Sequence, residues 1–154
     1  MAKQTPKVRQ LSASQRAVAE SICAGLGERL TPARMEAYTE LMLCEKPLSA
    51  YDLIARLEER QQRKIAPLTV YRHLDFLMRV GLVHRLESKQ AYLACDHPEH
   101  AHKSQYLLCS ACGKADEVES EQLMRVLSKI MDQQGFEAEH SVVEVTGVCS
   151  DCRH

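Results

Sequence analysis

The chain has 154 residues and a mass of 17.4 kDa, which is enough for one large domain or two small ones. Its N-terminus lacks the apolar run of a signal peptide, and no stretch reaches the roughly 18 apolar residues of a membrane span. Membrane partners are therefore not expected. The seven cysteines, an odd number partly grouped as CxxC, favour metal ligation in a reducing cytoplasm over disulfide bonds.

Charge is distributed unevenly along the chain, although the formal net charge is −1. Residues 1–88 carry 14 Lys and Arg against 10 Asp and Glu, whereas residues 89–154 carry 6 against 11. A basic first half suits a polyanionic partner such as DNA, and an acidic second half does not. Chance clustering in a short chain remains the alternative explanation for this asymmetry.

Four helices are predicted in the first half. The first covers residues 12–24, Thr31 caps the second, Ser49 caps the third, and the fourth covers residues 67–79. The apolar positions at helical spacing are Val18, Ile22 and Leu26 in the first helix, Met35, Tyr38, Leu41 and Met42 in the second, Leu53, Ile54 and Leu57 in the third, and Val70, Leu74 and Leu77 in the fourth.

A β-hairpin is predicted after the fourth helix. Residues 82–86 and 91–94 alternate in polarity and are separated by four polar residues. Helices followed by such a hairpin indicate a winged helix-turn-helix, in which the last helix enters the major groove of double-stranded DNA and the hairpin, here called the wing, lies against the backbone.

The exposed side of the fourth helix supplies the candidate DNA contacts. Arg72 has the geometry to read guanine O6 and N7 bidentately, and Tyr71 to bond a phosphate or pack on a thymine methyl group. The other two candidate DNA contacts are Tyr51, in the third helix, and Thr69, which is expected to cap the fourth helix rather than touch DNA. The plainer interpretation is a solvated helix face, which the basic first half and the wing disfavour.

The last third of the chain is predicted to form a small α/β unit. Strands are predicted at residues 104–109 and 115–119, a helix from Ser120 to Gly135, and a strand-like segment at residues 136–148. About fifty residues are few for independent stability, so this unit is expected to pair with a second copy. The predicted fold class is therefore α+β, a winged helix-turn-helix followed by a dimerisation domain, and the protein is expected to be a homodimer.

Two CxxC pairs, Cys109 with Cys112 and Cys149 with Cys152, form the strongest chemical signal. Four thiolates on two tight turns suit one tetrahedral structural zinc ion. The alternative, two redox-active pairs, lacks the helix after the first cysteine that lowers a thiol pKa in such motifs.

An enzyme is a weaker interpretation of the same region. The residues His97 and Glu99 before the first CxxC resemble the zinc deaminase motif, but Leu108 stands where that motif has proline. The second CxxC would also have no purpose, so no catalysis and no small-molecule substrate are expected.

A second metal site is predicted between the two halves. Cys95 ends the second arm of the wing, and His97, His100 and His102 follow it closely. These metal donors come in addition to the four cysteines that a structural site needs. His84 lies one hairpin arm away. The plainer interpretation makes Cys95 a small core residue, like Cys23 and Cys44, and leaves His84 exposed on the wing.

The runs LTPAR at residues 30–34, TVYRHLDFLMRVGLVHR at residues 69–85 and CxxCG…CxxC resemble the Fur family of metal-sensing repressors over nearly the whole chain. Cys95 before the histidine cluster makes the chain similar in particular to the zinc-sensing members. The resemblance implies a winged-helix domain at residues 1–94, a hinge at 95–103 and a dimerisation domain at 104–154. It also implies a regulatory zinc site formed by His84, Cys95, His102 and Glu117.

The chemistry of that ligand set favours zinc. One thiolate, two imidazoles and one carboxylate suit tetrahedral Zn²⁺, whereas iron or manganese sensors are expected to use nitrogen and oxygen donors at higher coordination number. Iron-sensing members have a run similar to HHDH directly before the first CxxC. Here the run HPEHAH lies further upstream, which leaves open which of its histidines binds the metal. His140 matches a further metal site of some relatives, and a core role for it is the alternative.

The expected function is a zinc-responsive transcriptional repressor of zinc-uptake genes that binds palindromic operator DNA as a dimer with two zinc sites per chain. An iron or peroxide sensor of the same family is one alternative, which the cysteine-containing site disfavours. A zinc-ribbon interaction module without DNA binding is the other, which the Tyr71-Arg72 helix and the wing disfavour.

Overall fold

The computed structural model describes residues 10–99, 105–139 and 141–153. Within them lie five α-helices and six strands. The helices are α1 (Ala13–Gly25), α2 (Pro32–Met42), α3 (Ala50–Gln61), α4 (Pro67–Arg79) and α5 (Glu121–Gln133). The strands are β1 (Leu48–Ser49), β2 (Val83–Leu86), β3 (Ala91–Ala94), β4 (Gln105–Cys109), β5 (Ala115–Val118) and β6 (Val143–Gly147). No helix in these ranges is long and apolar enough to cross a membrane.

The four predicted N-terminal helices are confirmed, and side-chain caps explain where three of them begin. Ser12, Thr31 and Ser49 each accept a hydrogen bond from the backbone N–H three residues later. The predicted apolar positions of α2, α3 and α4 are buried, apart from the half-buried Met42. In α1 Val18 and Ile22 are half-buried, Leu26 is 59% exposed, and the small residues Ala19 and Cys23 are buried.

The wing is confirmed and is one strand wider than the sequence predicts. β2 and β3 pair antiparallel, and the two residues of β1, just before α3, pair with the other side of β3. A two-residue strand leaves no periodic pattern in a sequence, because its formation depends on the neighbouring strand rather than on its own residues.

The C-terminal sheet has the strand order β5-β4-β6, with β4 antiparallel to β5 and parallel to β6. The strand-like segment 136–148 is shorter than expected, since among its described residues only Val143–Gly147 are paired. A small buried cluster of Leu86, Tyr106 and Leu108 joins this sheet to the wing. The two halves of the chain therefore share an apolar contact as well as a covalent link.

Helix α5 is amphipathic but buries no residue within the described chain. The predicted start at Ser120 is confirmed, since this residue caps the helix, and Gly135, at φ 60°, follows its end. Its apolar stripe includes Leu123, Val126 and Ile130, which are 40%, 53% and 51% exposed. An apolar stripe of this kind normally packs against another surface.

Candidate metal centres and DNA-binding surface

The four cysteines of the two CxxC pairs converge on one point. Their sulfur atoms all lie within 4.8 Å of one another, and the Sγ atoms of Cys112 and Cys149 are 3.9 Å apart. Tetrahedral coordination with Zn–S bonds of about 2.3 Å separates sulfurs by about 3.8 Å. The donor set and its spacing therefore fit a zinc ion with four thiolate ligands.

The sheet topology explains why the two pairs meet. β4 and β6 run parallel, with Cys109 opposite Gly147, so both strands deliver a CxxC turn to the same edge of the sheet. The Ser110 N–H donates to the Gly147 carbonyl at 2.8 Å, which ties one turn to the other strand. Gly113, at φ 78°, makes the tight return after the first pair, a conformation that L side chains rarely adopt.

The backbone around Cys109 favours its ligating form. The Cys149 N–H donates to the Sγ of Cys109 at 3.3 Å. Hydrogen bonds from the backbone of Cys149 and Cys112 lower the pKa of the Cys109 thiol to about 6. Zinc binds the thiolate rather than the thiol, so this arrangement prepares a ligand.

A second cluster brings together three of the four residues assigned to the regulatory site. Ligand atoms of His84, Cys95 and Glu117 lie within 4.8 Å of one another, and His84 Nε2 is 3.4 Å from Glu117 Oε1. His84 comes from β2, Cys95 from the residue after β3, and Glu117 from β5. The cluster thus joins the wing to the C-terminal sheet.

The surroundings of this cluster favour a cation. Glu117 has a side chain that is 1% exposed, and Cys95 is 2% exposed, whereas the His84 side chain is 21% exposed. Burial first, and then the neighbouring Glu117 carboxylate, raise the pKa of the Cys95 thiol to about 12. A cation at this position reverses that effect, because it stabilises both the thiolate and the carboxylate.

Two groups that the sequence did not single out hold Glu117 in place. The Asp96 N–H donates to Glu117 Oε2 at 3.0 Å, and the Tyr106 hydroxyl lies 3.5 Å from Glu117 Oε1. Tyr106 also places its ring 6.0 Å from the His84 ring. A backbone N–H leaves no signature in the sequence, and Tyr106 reads there as an ordinary apolar strand residue.

The remaining candidate histidines are less informative. His102, the fourth assigned ligand, lies outside the described residues, as do His100 and His140. His97 is exposed and is not part of either cysteine-containing cluster.

The candidate DNA-binding surface is built by α4 and the start of α3. Arg72 and Thr69 are exposed, Tyr71 is 39% exposed, and Tyr51 on α3 is 75% exposed. The opposite side of α4 is fixed in the core, where Arg34 stacks 3.6 Å above the ring of Phe76. The helix therefore packs on the core with its polar side outward.

The predicted capping role of Thr69 is wrong. Helix α4 begins at Pro67 with Ala66 as its N-cap, without a side-chain cap, and the Thr69 N–H donates to the Ala66 carbonyl at 2.9 Å. Proline fixes the first helical position and so begins the helix before Thr69 is reached. The Thr69 side chain is consequently left on the exposed surface.

The chain is similar to known metal-responsive regulators. Residues 25–146 match the model of the "Ferric uptake regulator family". The chain is 38% identical over 139 residues to the zinc uptake regulation protein of Escherichia coli K12, a match that covers 88% of this chain and 80% of that protein.

Solved structures agree with this match. A zinc uptake regulator complexed with zinc and DNA is 36% identical, covers 92% of this chain and 96% of its own, and superposes with a TM-score of 0.86. The holo form of XcZur is 37% identical with a TM-score of 0.82 (92% and 98% covered), and its apo form is 38% identical with a TM-score of 0.50 (89% and 93% covered). The chain belongs to the ferric uptake regulator (Fur) family of transcription regulators.

Proposed function

We propose that this protein is a zinc-responsive transcriptional repressor of zinc-uptake genes that binds operator DNA as a homodimer in the cytoplasm. The observation that carries the proposal is the partly buried cluster of His84, Cys95 and Glu117, which contains a thiol and spans the wing and the C-terminal sheet. The similarity to zinc uptake regulators, including one complexed with zinc and DNA, supports it.

The proposed domains follow the sequence boundaries. Residues 1–94 bind DNA, residues 95–103 form the hinge, and residues 104–154 form the dimerisation domain with Cys109, Cys112, Cys149 and Cys152 as structural zinc ligands. The exposed stripe of α5 supports dimerisation, because a second copy would cover it.

The proposed regulatory site uses His84, Cys95, Glu117 and His102. Zinc bound there would offset the charge of the buried carboxylate and thiolate and link the wing to the C-terminal sheet. His84 is on a strand of the wing, and Glu117 is held on the C-terminal sheet by the Asp96 N–H and by Tyr106, so a zinc ion bound by both would fix where the wing lies. Two recognition helices in a dimer are then kept at one spacing, as a palindromic operator requires.

The arrangement of the two halves supports this mechanism. At nearly the same sequence identity, the chain superposes far better on the DNA-bound and holo relatives than on the apo relative. Similar identity argues against a difference in fold, so we attribute the gap to the relative placement of the two halves. A ligand that prefers one placement shifts the population towards it.

An iron or peroxide sensor is the alternative within the family. Ferric uptake regulation proteins also match this chain, at 28% identity for that of Synechococcus elongatus. The buried thiol of Cys95 favours zinc over iron, because a soft donor in a four-ligand site suits Zn²⁺ better than an octahedral metal.

The experiment that tests the function compares metals. The chelator-treated protein, reloaded at its structural site, would be titrated with buffered zinc, iron(II) or manganese(II) and assayed on duplexes selected from random DNA in the presence of each metal. Zinc should support binding at the lowest free concentration. Binding that needs iron(II) and ignores zinc would replace the proposal by the alternative.

Arg72→Ala should weaken specific DNA binding by about 1–3 kcal/mol, because a bidentate guanine contact carries discrimination of that size. Zinc content and dimerisation should not change, since Arg72 is exposed and belongs to neither cysteine cluster. Fluorescence anisotropy on the selected duplex and on a random duplex of the same length measures the effect.

Arg63→Ala is the control, because Arg63 is an exposed arginine that bonds Gln61 beyond the polar end of α3. Equal losses on the selected and random duplexes for Arg72→Ala would instead make Arg72 a phosphate contact.

A further inference from the structure

The carboxylate of Glu144, on β6, holds the turn of the wing. One oxygen accepts from the Glu87 N–H at 2.7 Å and the other from the Ser88 N–H at 3.1 Å. Burial would raise the pKa of Glu144, but hydrogen bonds from the Ser88 side chain and from the two backbone N–H groups outweigh it, and the pKa is lowered. Charge-assisted hydrogen bonds therefore connect the wing to the C-terminal sheet without a metal.

Glu144 belongs to a row of three side chains across that sheet. Tyr106 on β4 is paired with Glu117 on β5 and with Glu144 on β6. Residues directly opposite each other on neighbouring strands point to the same face. The row therefore presents a proposed zinc ligand, a fully buried tyrosine and the Glu144 carboxylate to the wing.

Strand β2 of the wing engages this row from end to end. His84 lies 3.4 Å from Glu117, Leu86 shares a buried cluster with Tyr106, and the turn after β2 donates to Glu144. Three residues of a strand rise about 10 Å, and two strand spacings also measure about 10 Å. The lengths match, so β2 reaches the proposed zinc site through His84, and the turn that follows it reaches Glu144.

On the basis of the proposed function, we propose that Glu144 is a positioning residue for zinc sensing, a metal-independent clasp that lowers the zinc concentration needed for operator binding. Glu87 and Ser88 are exposed, so water can accept from their N–H groups when the wing leaves the sheet. Breaking these two hydrogen bonds therefore costs little free energy, and the wing can leave the sheet and return to it. The apparent affinity for a ligand equals the intrinsic affinity multiplied by the fraction of protein in the competent arrangement, and the clasp raises that fraction before zinc binds.

Glu144→Gln tests the clasp, because it keeps the side-chain size and one acceptor but removes the charge and the second acceptor. Operator binding should need roughly 10-fold more free zinc, in keeping with the strength of hydrogen bonds to charged groups. Binding at saturating zinc and the tightly held structural zinc should match the wild type. Glu137→Gln, which changes an exposed glutamate of the same half, is the matched control. It should leave unchanged the free zinc concentration that gives half-maximal operator binding, here called the zinc midpoint.

Two further measurements separate positioning from a merely structural role. Both proteins would be treated with chelator under conditions that retain the structural zinc. Small-angle X-ray scattering should then show a larger radius of gyration for Glu144→Gln than for the wild type. Ser88→Ala should raise the zinc midpoint less than Glu144→Gln does, and the double variant should show less than the product of the two effects, since both changes break one contact.

The outcomes distinguish this inference from the proposed function. A wild type that responds to zinc, together with an unchanged midpoint in Glu144→Gln, overturns the clasp and leaves the function intact. A lower plateau at an unchanged midpoint also overturns it, because Glu144 would then act on DNA contacts rather than on sensing. A wild type indifferent to zinc overturns the function itself.

Discussion

Cys95→Ser should abolish zinc-dependent operator binding at zinc concentrations that saturate the wild type, while leaving a folded dimer. The serine hydroxyl is a poor zinc ligand, whereas Cys95 supplies the one thiol of the buried cluster with His84 and Glu117. Changes to partners of metal ligands already weaken metal binding by about 10–100-fold, so loss of the thiolate should weaken zinc at this site by at least about 100-fold. Zinc titration against a competing chelator measures the change.

Controls guard against a trivial loss of folding. Cys23→Ser places a hydroxyl at an equally buried cysteine outside both clusters and should keep the zinc response. Cys95→Ala removes the ligand without adding a buried polar group and should behave like Cys95→Ser. Zinc-dependent DNA binding that survives unchanged in both Cys95 variants would remove Cys95 from the sensor.

Cys112→Ser should have the largest effect on stability, because its sulfur belongs to the cluster that ties the chain end to the C-terminal sheet. Structural zinc sites contribute about 10–16 kcal/mol of apparent binding free energy in small peptides, as much as the whole stability of a typical domain. The C-terminal sheet should lose its structure and the dimer should dissociate. Zinc per chain, thermal melting and analytical ultracentrifugation measure these losses together.

Cys44→Ser is the matched control, since Cys44 is half-buried like Cys112 but belongs to neither cluster. It should retain the zinc and the dimer. A stable Cys112→Ser dimer with wild-type zinc content would refute the structural assignment of all four cysteines.

Local signals explain what could be predicted from the sequence. The bounds of α4 follow from Pro67 at its start and from the core spacing of Val70, Leu74 and Leu77, and the structure reproduces them. The convergence of the CxxC pairs follows from chemistry, because four thiols at two turns suit one metal. These features depend on residues close together in the chain.

The features that were missed depend on contacts between distant residues. β1 forms because β3 lies beside it, and the buried positions of α1 are Ala19 and Cys23 rather than Leu26. Glu117 lies 22 positions after Cys95, and only the family resemblance indicated that strand pairing would bring it to the wing. The hold of Glu144 on the wing uses backbone donors, which no sequence pattern displays.

The most direct test of the account is a pair of zinc titrations under a competing chelator at fixed salt, with and without the selected operator duplex. If zinc and DNA favour the same arrangement, the duplex must tighten zinc at the site of His84, Cys95 and Glu117 by the factor by which zinc tightens DNA. We expect two equal factors, as linkage requires, each about 5–150 for a coupling of typical strength. A zinc affinity that is the same with and without the duplex would contradict it.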